Sequence, residues 1–272
     1  MNIFSRLNQA RVIAEPFPHV ILEEAIDKDL CDALLSEMPS IEVLTQGAAP
    51  ESNKRFTLNS GDALSDHRVP RVWKEVIQAG LTQSFLNQVW SLFAPHIHQN
   101  FPDFADRFGK LESLKAISRQ QGEVQRGCIG LDAQIAVNTP AIETGTTVRG
   151  PHIDHPKKLF VGLLYLRHAN DTTTGANLEL CEPLSKPPVY GPKRSLRRDE
   201  VRVVQTVPYR HNTLVLFLNT PHSLHGVSPR EQTNHARYFL NLVGEAHAPL
   251  FQLEERKSIN TFISRLKSSL RH

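Results

Sequence analysis

Cysteine is scarce: three residues, Cys31, Cys128 and Cys181, lie scattered singly through 272 positions. An odd count without Cys-x-x-Cys spacing excludes a disulfide framework and a zinc ribbon. Aromatic residues make up 7% of the chain, and no dense Lys/Arg stripe is interleaved with them. The 31 basic and 28 acidic residues leave a formal charge of +3, too little to imply a nucleic-acid partner. Charges of both signs are well mixed, which argues against wholesale disorder. No apolar run approaches the length of a membrane span, so no membrane partner is expected. The opening MNIFSRLNQARVIAEPFPHV has neither a long apolar core nor a small-residue cleavage site, so no signal peptide is read and a cytoplasmic protein is expected. Internal repeats and low-complexity tracts are missing too. What is present is 40% hydrophobic content, enough for one large domain with a sizeable core.

The first half reads as mainly helical. His19 to Leu22 is a short β-like run; Asp27 is placed to cap a helix carrying Leu30, Leu34, Leu35 and Met38, and Pro39 ends it. Residues 41–68 are polar and read as irregular or as a lid. From Arg71 to Phe93 the apolar spacing is helical again, with a break at Gly80 and a stop at Pro95. Residues 101–121 suggest a further helix and then a strand. After residue 128 the texture changes to short β-like runs separated by Gly, Pro, Asn and Asp: LDAQIAVN, LFVGLLYL, ANLELCE, EVRVVQTV, NTLVLFLN and ARYFLNLVGE. Such spacing suggests a β-sandwich or jelly roll. Ile259, Phe262, Ile263, Leu266 and Leu270 share one face of a C-terminal helix. The fold class expected is α+β: a helical layer over 1–128, a barrel-like β core over 129–248 and a terminal helix over 249–272, all one domain.

Chemistry concentrates at RGPHIDHPKK. His152 and Asp154 are two apart, so on an extended segment both point to one side. With one more histidine they form the two-histidine, one-carboxylate face that leaves three open positions on an octahedral metal. His222 and His225 both follow the strand-like NTLVLFLN, but three apart they face opposite ways. His225 is the ligand candidate, because Gly226 allows close backbone approach; His222 reads as a turn residue. His155 points away from Asp154, and His96 and His98 follow a helix-ending proline without a nearby carboxylate. Arg237 is a charge on an otherwise apolar strand, sharing a face with Phe239 and Asn241. Such a residue needs a carboxylate partner or an escape to solvent. Arg230, in SPREQTN, reads as exposed.

His152, Asp154, His225 and Arg237, in that order on that strand pattern, resemble the Fe(II)/2-oxoglutarate-dependent oxygenases. The likeness is nearest to bacterial members similar to prolyl hydroxylases and covers roughly residues 130–245. LLYLRHANDTTTGANLEL resembles the family's Tyr-Leu strand, polar turn and Gly-x-x-Leu strand, except that Thr174-Gly175-Ala176 stands where many members have Gly-Gly before the Leu strand. The resemblance implies a double-stranded β-helix (jelly-roll or cupin-like) core. It implies Fe(II) on His152, Asp154 and His225, and 2-oxoglutarate held through its distal carboxylate by Arg237. Tyr165 falls where relatives place a hydroxyl near that carboxylate, or is simply a half-buried strand tyrosine. Asn138 and Gln134, on one face of their strand, are candidates to meet substrate or co-substrate. The implied activity is O2-dependent hydroxylation of an unactivated C–H bond, with 2-oxoglutarate decarboxylated to succinate. Asp154 favours hydroxylation over halogenation, since halogenating relatives replace that acid with a small residue.

The substrate expected is a small molecule or a carrier-linked metabolite. Lys157 and Lys158 near the metal mouth, and Lys193, Arg194, Arg197 and Arg198 in a proline-rich insertion, tilt this toward an anionic group. Two other readings compete. One is a non-catalytic jelly-roll module that binds a ligand; the other is a zinc hydrolase on the same three ligands, which would need a general base nearby.

Overall fold

The computed structural model describes residues 2–254, and the expected C-terminal helix lies outside the described residues. In chain order the elements are β1 (His19–Leu22), α1 (Lys28–Ser36), α2 (Ile41–Leu44), β2 (Arg55–Leu58), α3 (Ser60–Ser65), α4 (Arg71–Gly80), α5 (Gln83–Asn100), α6 (Phe104–Phe108), β3 (Lys115–Ser118), β4 (Cys128–Asn138), β5 (Lys158–Leu166), β6 (Leu178–Pro183), β7 (Val201–Val207), β8 (Thr213–Leu218), β9 (His225–Val227) and β10 (Arg237–Glu245). The result is a mixed α+β architecture, with helices concentrated before β4. Four helix starts are capped by side chains: Leu30 N–H donates to Asp27, Val43 N–H to Ser40, Asp62 N–H to Asn59 and Phe85 N–H to Thr82. Among the described residues no helix is long and apolar enough to cross a membrane.

The strands form two sheets. The larger runs β1-β8-β5-β10-β4-β2, with β3 added parallel to β4; the smaller runs β7-β6-β9. Apart from the β3–β4 pair, every strand pairing is antiparallel. The alternation along each strand divides the core in two. On β4, Ile129, Leu131, Ala133, Ile135 and Val137 turn toward the helices and pack with Trp73, Val76 and Ile77 of α4 and Phe85, Leu86 and Phe93 of α5. The opposite face carries Ala136, Val161, Leu163, Tyr165, Val215, Phe217 and Phe239, which meet Leu178, Leu180 and Val207 of the smaller sheet. Each fully buried Leu, Val or Phe contributes about 1.5–3 kcal/mol. The helical layer therefore seals one face of the large sheet, and the polar side chains discussed below lie between the sheets.

Two elements differ from expectation. Pro95 lies inside α5 and does not end it. Proline forfeits one helix hydrogen bond, but Phe93 and Ile97 on either side are both fully buried, and keeping that stripe against the sheet outweighs the loss. Residues 41–68, expected as an irregular segment or lid, contain two short helices and β2, which pairs with β4 at the edge of the large sheet. A four-residue strand is too short for its alternation to be read from sequence.

Thr174-Gly175-Ala176 lies in the turn before β6. Both Gly175 and Ala176 have positive φ, 83° and 56°. Gly175 has no room for a side chain, since a Cβ there would lie 1.9 Å from the Pro229 carbonyl oxygen. Ala176 holds a conformation that costs an L-residue about 1–2 kcal/mol. Ala176→Gly should therefore stabilise the protein by about 0.5–1 kcal/mol, whereas Gly175→Ala should cost at least about 2 kcal/mol. Denaturant midpoints of the two variants against wild type would check both signs.

Candidate metal centre

The His152–Asp154 segment is too short to be a strand, yet it is held like one. His152 N–H donates to the His225 carbonyl at 2.8 Å, and His225 N–H returns the bond to His152 at 3.0 Å. On its other side the segment bridges Ser195; Ile153 N–H donates to the Arg194 carbonyl at 3.0 Å and Leu196 N–H to the Pro151 carbonyl at 2.9 Å. An antiparallel pair that exchanges both hydrogen bonds puts its two side chains on the same face. The imidazole centroids of His152 and His225 are accordingly 4.3 Å apart, and Asp154, two residues on, joins that face. Gly226 makes the approach possible: a Cβ there would come within 3.0 Å of the Pro151 nitrogen.

The donor atoms converge. His152 Nε2 lies 3.8 Å from Asp154 Oδ1, and His225 Nε2 lies 3.8 Å from Asp154 Oδ2. One ligand atom from each residue falls within 4.8 Å of the others, and all three side chains are buried. Each Nδ1 is within hydrogen-bond distance of a backbone carbonyl, Gly150 at 2.8 Å for His152 and Ser223 at 2.9 Å for His225. Those contacts place the ring proton on Nδ1 and leave the Nε2 lone pair for a metal. Burial pushes both histidines below their ordinary pKa, the neighbouring His225 adding to the effect on His152. For Asp154, burial acts to raise the pKa, but Lys158, His225, His152 and Arg149 outweigh it and hold the carboxyl well below the usual range. Two neutral imidazoles and one carboxylate on one face fit a divalent first-row metal that keeps open positions.

Arg237 is 1% exposed, and its Nε, Nη1 and Nη2 have no hydrogen-bond partner among the described residues. Its guanidinium carbon lies 4.8 Å from the Tyr165 ring centroid, 4.9 Å from that of Tyr209 and 5.0 Å from that of Phe239. Cation–π contacts offset part of the desolvation cost of a buried guanidinium but leave five donors unused. The Tyr165 hydroxyl is buried without a partner in the same cage. Asn138 stands directly across from Arg237 in the β4–β10 register. Gln134 is not part of this group: it bonds Asp132 and Asn241, in a polar network that also reaches Ser60 and Gln120.

Other residues fall elsewhere than expected. Arg230 is buried, not exposed, and donates to Asp171 Oδ2 at 3.0 Å; Asp171, itself buried, also pairs with Arg167 at 3.3 Å, and that carboxylate draws Arg230 inward. His222 is exposed in a turn, as expected, and His155 is exposed too. In the basic insertion, Arg198 pairs with Glu179 at 2.7 Å and Arg197 with Asp199 at 3.2 Å, while residues 194–196 buttress the His152 segment. No local pattern in the sequence marks Arg55 or Arg149 as part of the site. Arg149 approaches Asp154 to 3.6 Å, and Lys158 to 3.3 Å.

Gly226→Ala should wedge the His152 and His225 segments apart without touching a ligand. The expected outcome is a loss of about tenfold or more in Mn(II) affinity, the scale of lost support around a metal site, with near-native thermal stability, measured by calorimetric titration and melting.

No family model matches the sequence, and no curated protein matches it. Solved structures do. A prolyl 4-hydroxylase from Phytophthora capsici is 17% identical, covers 97% of this chain and 69% of its own, and has a TM-score of 0.47. A Pseudomonas putida prolyl-4-hydroxylase is 14% identical, with 89% and 96% coverage and a TM-score of 0.47. The epimerase SnoN, solved with Fe3+, alpha ketoglutarate and nogalamycin RO, is 10% identical, with 89% and 82% coverage and a TM-score of 0.46. The chain is thus similar in structure, over most of its length, to prolyl 4-hydroxylases and Fe/2-oxoglutarate oxygenases, and it carries a His-x-Asp…His triad.

Proposed function

We propose that this chain is a non-haem Fe(II)/2-oxoglutarate-dependent dioxygenase. Its two facing sheets are read as a double-stranded β-helix, and its reaction as hydroxylation of an unactivated C–H bond in a small or carrier-linked metabolite. The observation that carries the reading is Arg237: a buried guanidinium with no partner among the described residues, in the same inter-sheet interior as a three-ligand metal cluster. A metal site alone would suit many reactions. A metal site with a separate buried fork for a carboxylate suits a co-substrate that is both a chelator and an acid.

In this reading His152, Asp154 and His225 hold Fe(II) and leave three positions open. A bound Fe(II) would activate O2, the oxidant, so that the substrate C–H bond, 2-oxoglutarate and O2 would give the substrate alcohol, succinate and CO2. The protein's share is positioning. Arg237 takes the distal carboxylate of 2-oxoglutarate, with the Tyr165 hydroxyl available to donate to the same group. Val161, Leu163, Phe217 and Phe239 keep the interior dry, and the Phe217 ring, 4.8 Å from that of His225, limits the tilt of that ligand. Asp154 fills the position that would have to be small to admit a halide.

Succinate formation from 2-oxoglutarate, with Fe(II), ascorbate and a pooled metabolite extract, tests the reading. Wild type should turn over slowly and be stimulated by the extract, and His152→Ala should be inactive and bind Mn(II) weakly. Arg237→Met should keep Mn(II) affinity but raise the KM for 2-oxoglutarate at least about thirtyfold, the effect of losing about 2 kcal/mol of paired charge. It should also melt higher than wild type without ligand, because an unpaired buried charge is replaced by an apolar side chain of similar length. If 2-oxoglutarate still raised the melting temperature of Arg237→Met as it does that of wild type, the reading would fail.

A further inference from the structure

The interior between the sheets holds more positive charge than this chemistry uses. Arg55 on β2 lies opposite Asn138 on β4, and Asn138 lies opposite Arg237 on β10. Residues paired across neighbouring strands share a face, so Arg55, Asn138 and Arg237 form one rung. Arg55 Nε donates to Asn138 Oδ1 at 3.2 Å. Its guanidinium carbon lies 5.1 Å from the centroid of Phe239, the ring that Arg237 approaches to 5.0 Å. No carboxylate among the described residues forms an ion pair with Arg55. Burial, and the nearby charges of Arg237 and Arg149, push its pKa down to about 10, against the pull of Asp154 and Tyr165, so the group is still a cation at neutral pH.

Around Asp154 there gather Arg149, Lys158 and, more distantly, Arg55, with Arg237 beyond it. Arg149, Lys158 and Arg55 thus outnumber the one carboxylate. Loading does not change the imbalance, because Fe(II) and the 2-oxoglutarate dianion carry equal and opposite charge. Arg237 is taken by the co-substrate, and Lys158 lies closest to Asp154, at 3.3 Å. Arg55 remains without an acid, and Arg149, 3.6 Å from Asp154, adds to the positive charge that acts on it. A second anion would offset that charge, which is felt strongly in a poorly solvated setting. Of the insertion at residues 193–198, Arg197 and Arg198 are paired with acids of their own, while Arg194 adds to the positive charge that acts on Arg149.

We propose that Arg55, together with Arg149, binds a carboxylate or phosphate group of the substrate that is hydroxylated. The proposal rests on the dioxygenase reading and adds the substrate's chemical class and the side chains that select it. Arg55 acts at the edge of the site, half-buried and bonded to Asn138, so a substrate can reach it from solvent while its C–H bond enters the drier interior.

The experiment uses the full chain loaded with Mn(II) and 2-oxoglutarate, which is inert to O2. Methyl phosphate and propionate are added as probes, with propionamide as the neutral control, and their paramagnetic relaxation by Mn(II) is followed by NMR. In wild type at least one anion should show saturable relaxation, and propionamide none; which anion saturates at lower concentration separates a phosphate from a carboxylate. Arg55→Met should weaken that anion about tenfold or more, the scale of one charge-assisted hydrogen bond, while 2-oxoglutarate affinity changes less than about twofold. Arg55→Lys should recover most of the binding, which shows that the Met variant is folded and that charge is what it lacks. The proposal is overturned if neither anion saturates in wild type or if Arg55→Met binds both as wild type does. It is equally overturned if Arg55→Met loses 2-oxoglutarate as Arg237→Met does, which would place Arg55 on the co-substrate. A wild type that binds Mn(II) but no 2-oxoglutarate removes the dioxygenase reading itself, and this one with it.

Discussion

The exchange of two backbone hydrogen bonds between His152 and His225 is the constraint on which the centre depends. Neither residue belongs to a long strand: one sits on a bridge after Pro151, the other begins a three-residue strand. Their mutual bonds set the distance between the imidazoles, and the carbonyls of Gly150 and Ser223, each two residues before its histidine, set the tautomers. The local chain thus orients both ligands by the same device twice. The glycine at 226 is what lets the two backbones meet closely enough for it to work.

Around this bridge the two sheets divide the labour. The large sheet is closed on one face by helices through a wholly apolar core, which makes it a rigid wall. Its other face carries the charged rung of Arg237, Asn138 and Arg55, set among aromatic rings. Aromatic faces suit guanidinium groups that must stay buried, because they attract the cation without neutralising it. Asp171, by contrast, does neutralise Arg230, and that pair holds the segment before β6. Two buried arginines seven residues apart therefore meet opposite fates, decided by whether a carboxylate lies within reach.

Much of this was legible in the sequence because it is written locally. The H-x-D spacing, the glycine after His225 and a lone arginine on an apolar strand each carry their meaning within a few residues. The strands of the second half announced themselves through alternation and turn residues, and the capped start of α1 through Asp27. What could not be read depends on tertiary partners. Arg230 looked exposed because Asp171 is 59 residues away. Pro95 looked like a stop because local backbone chemistry says so, and only the burial of Phe93 and Ile97 reverses it. Arg55 was hidden in a polar stretch whose four strand residues are too few to show a period, and Gln134 shares a face with Asn138 yet is claimed by Asp132 and Asn241.

The placement of β2 has an evolutionary consequence. It is four residues long, pairs with β4 alone, and lies at the outer edge of the large sheet, far along the strand order from β8 and β1. The metal ligands come from segments tied to the small sheet and share no hydrogen bond with it. Residues of β2 can therefore vary without disturbing the tautomers, spacing or burial of the metal ligands. On the proposed role of Arg55, such a chain can exchange one substrate preference for another by altering this edge strand, while the three candidate ligands are inherited unchanged.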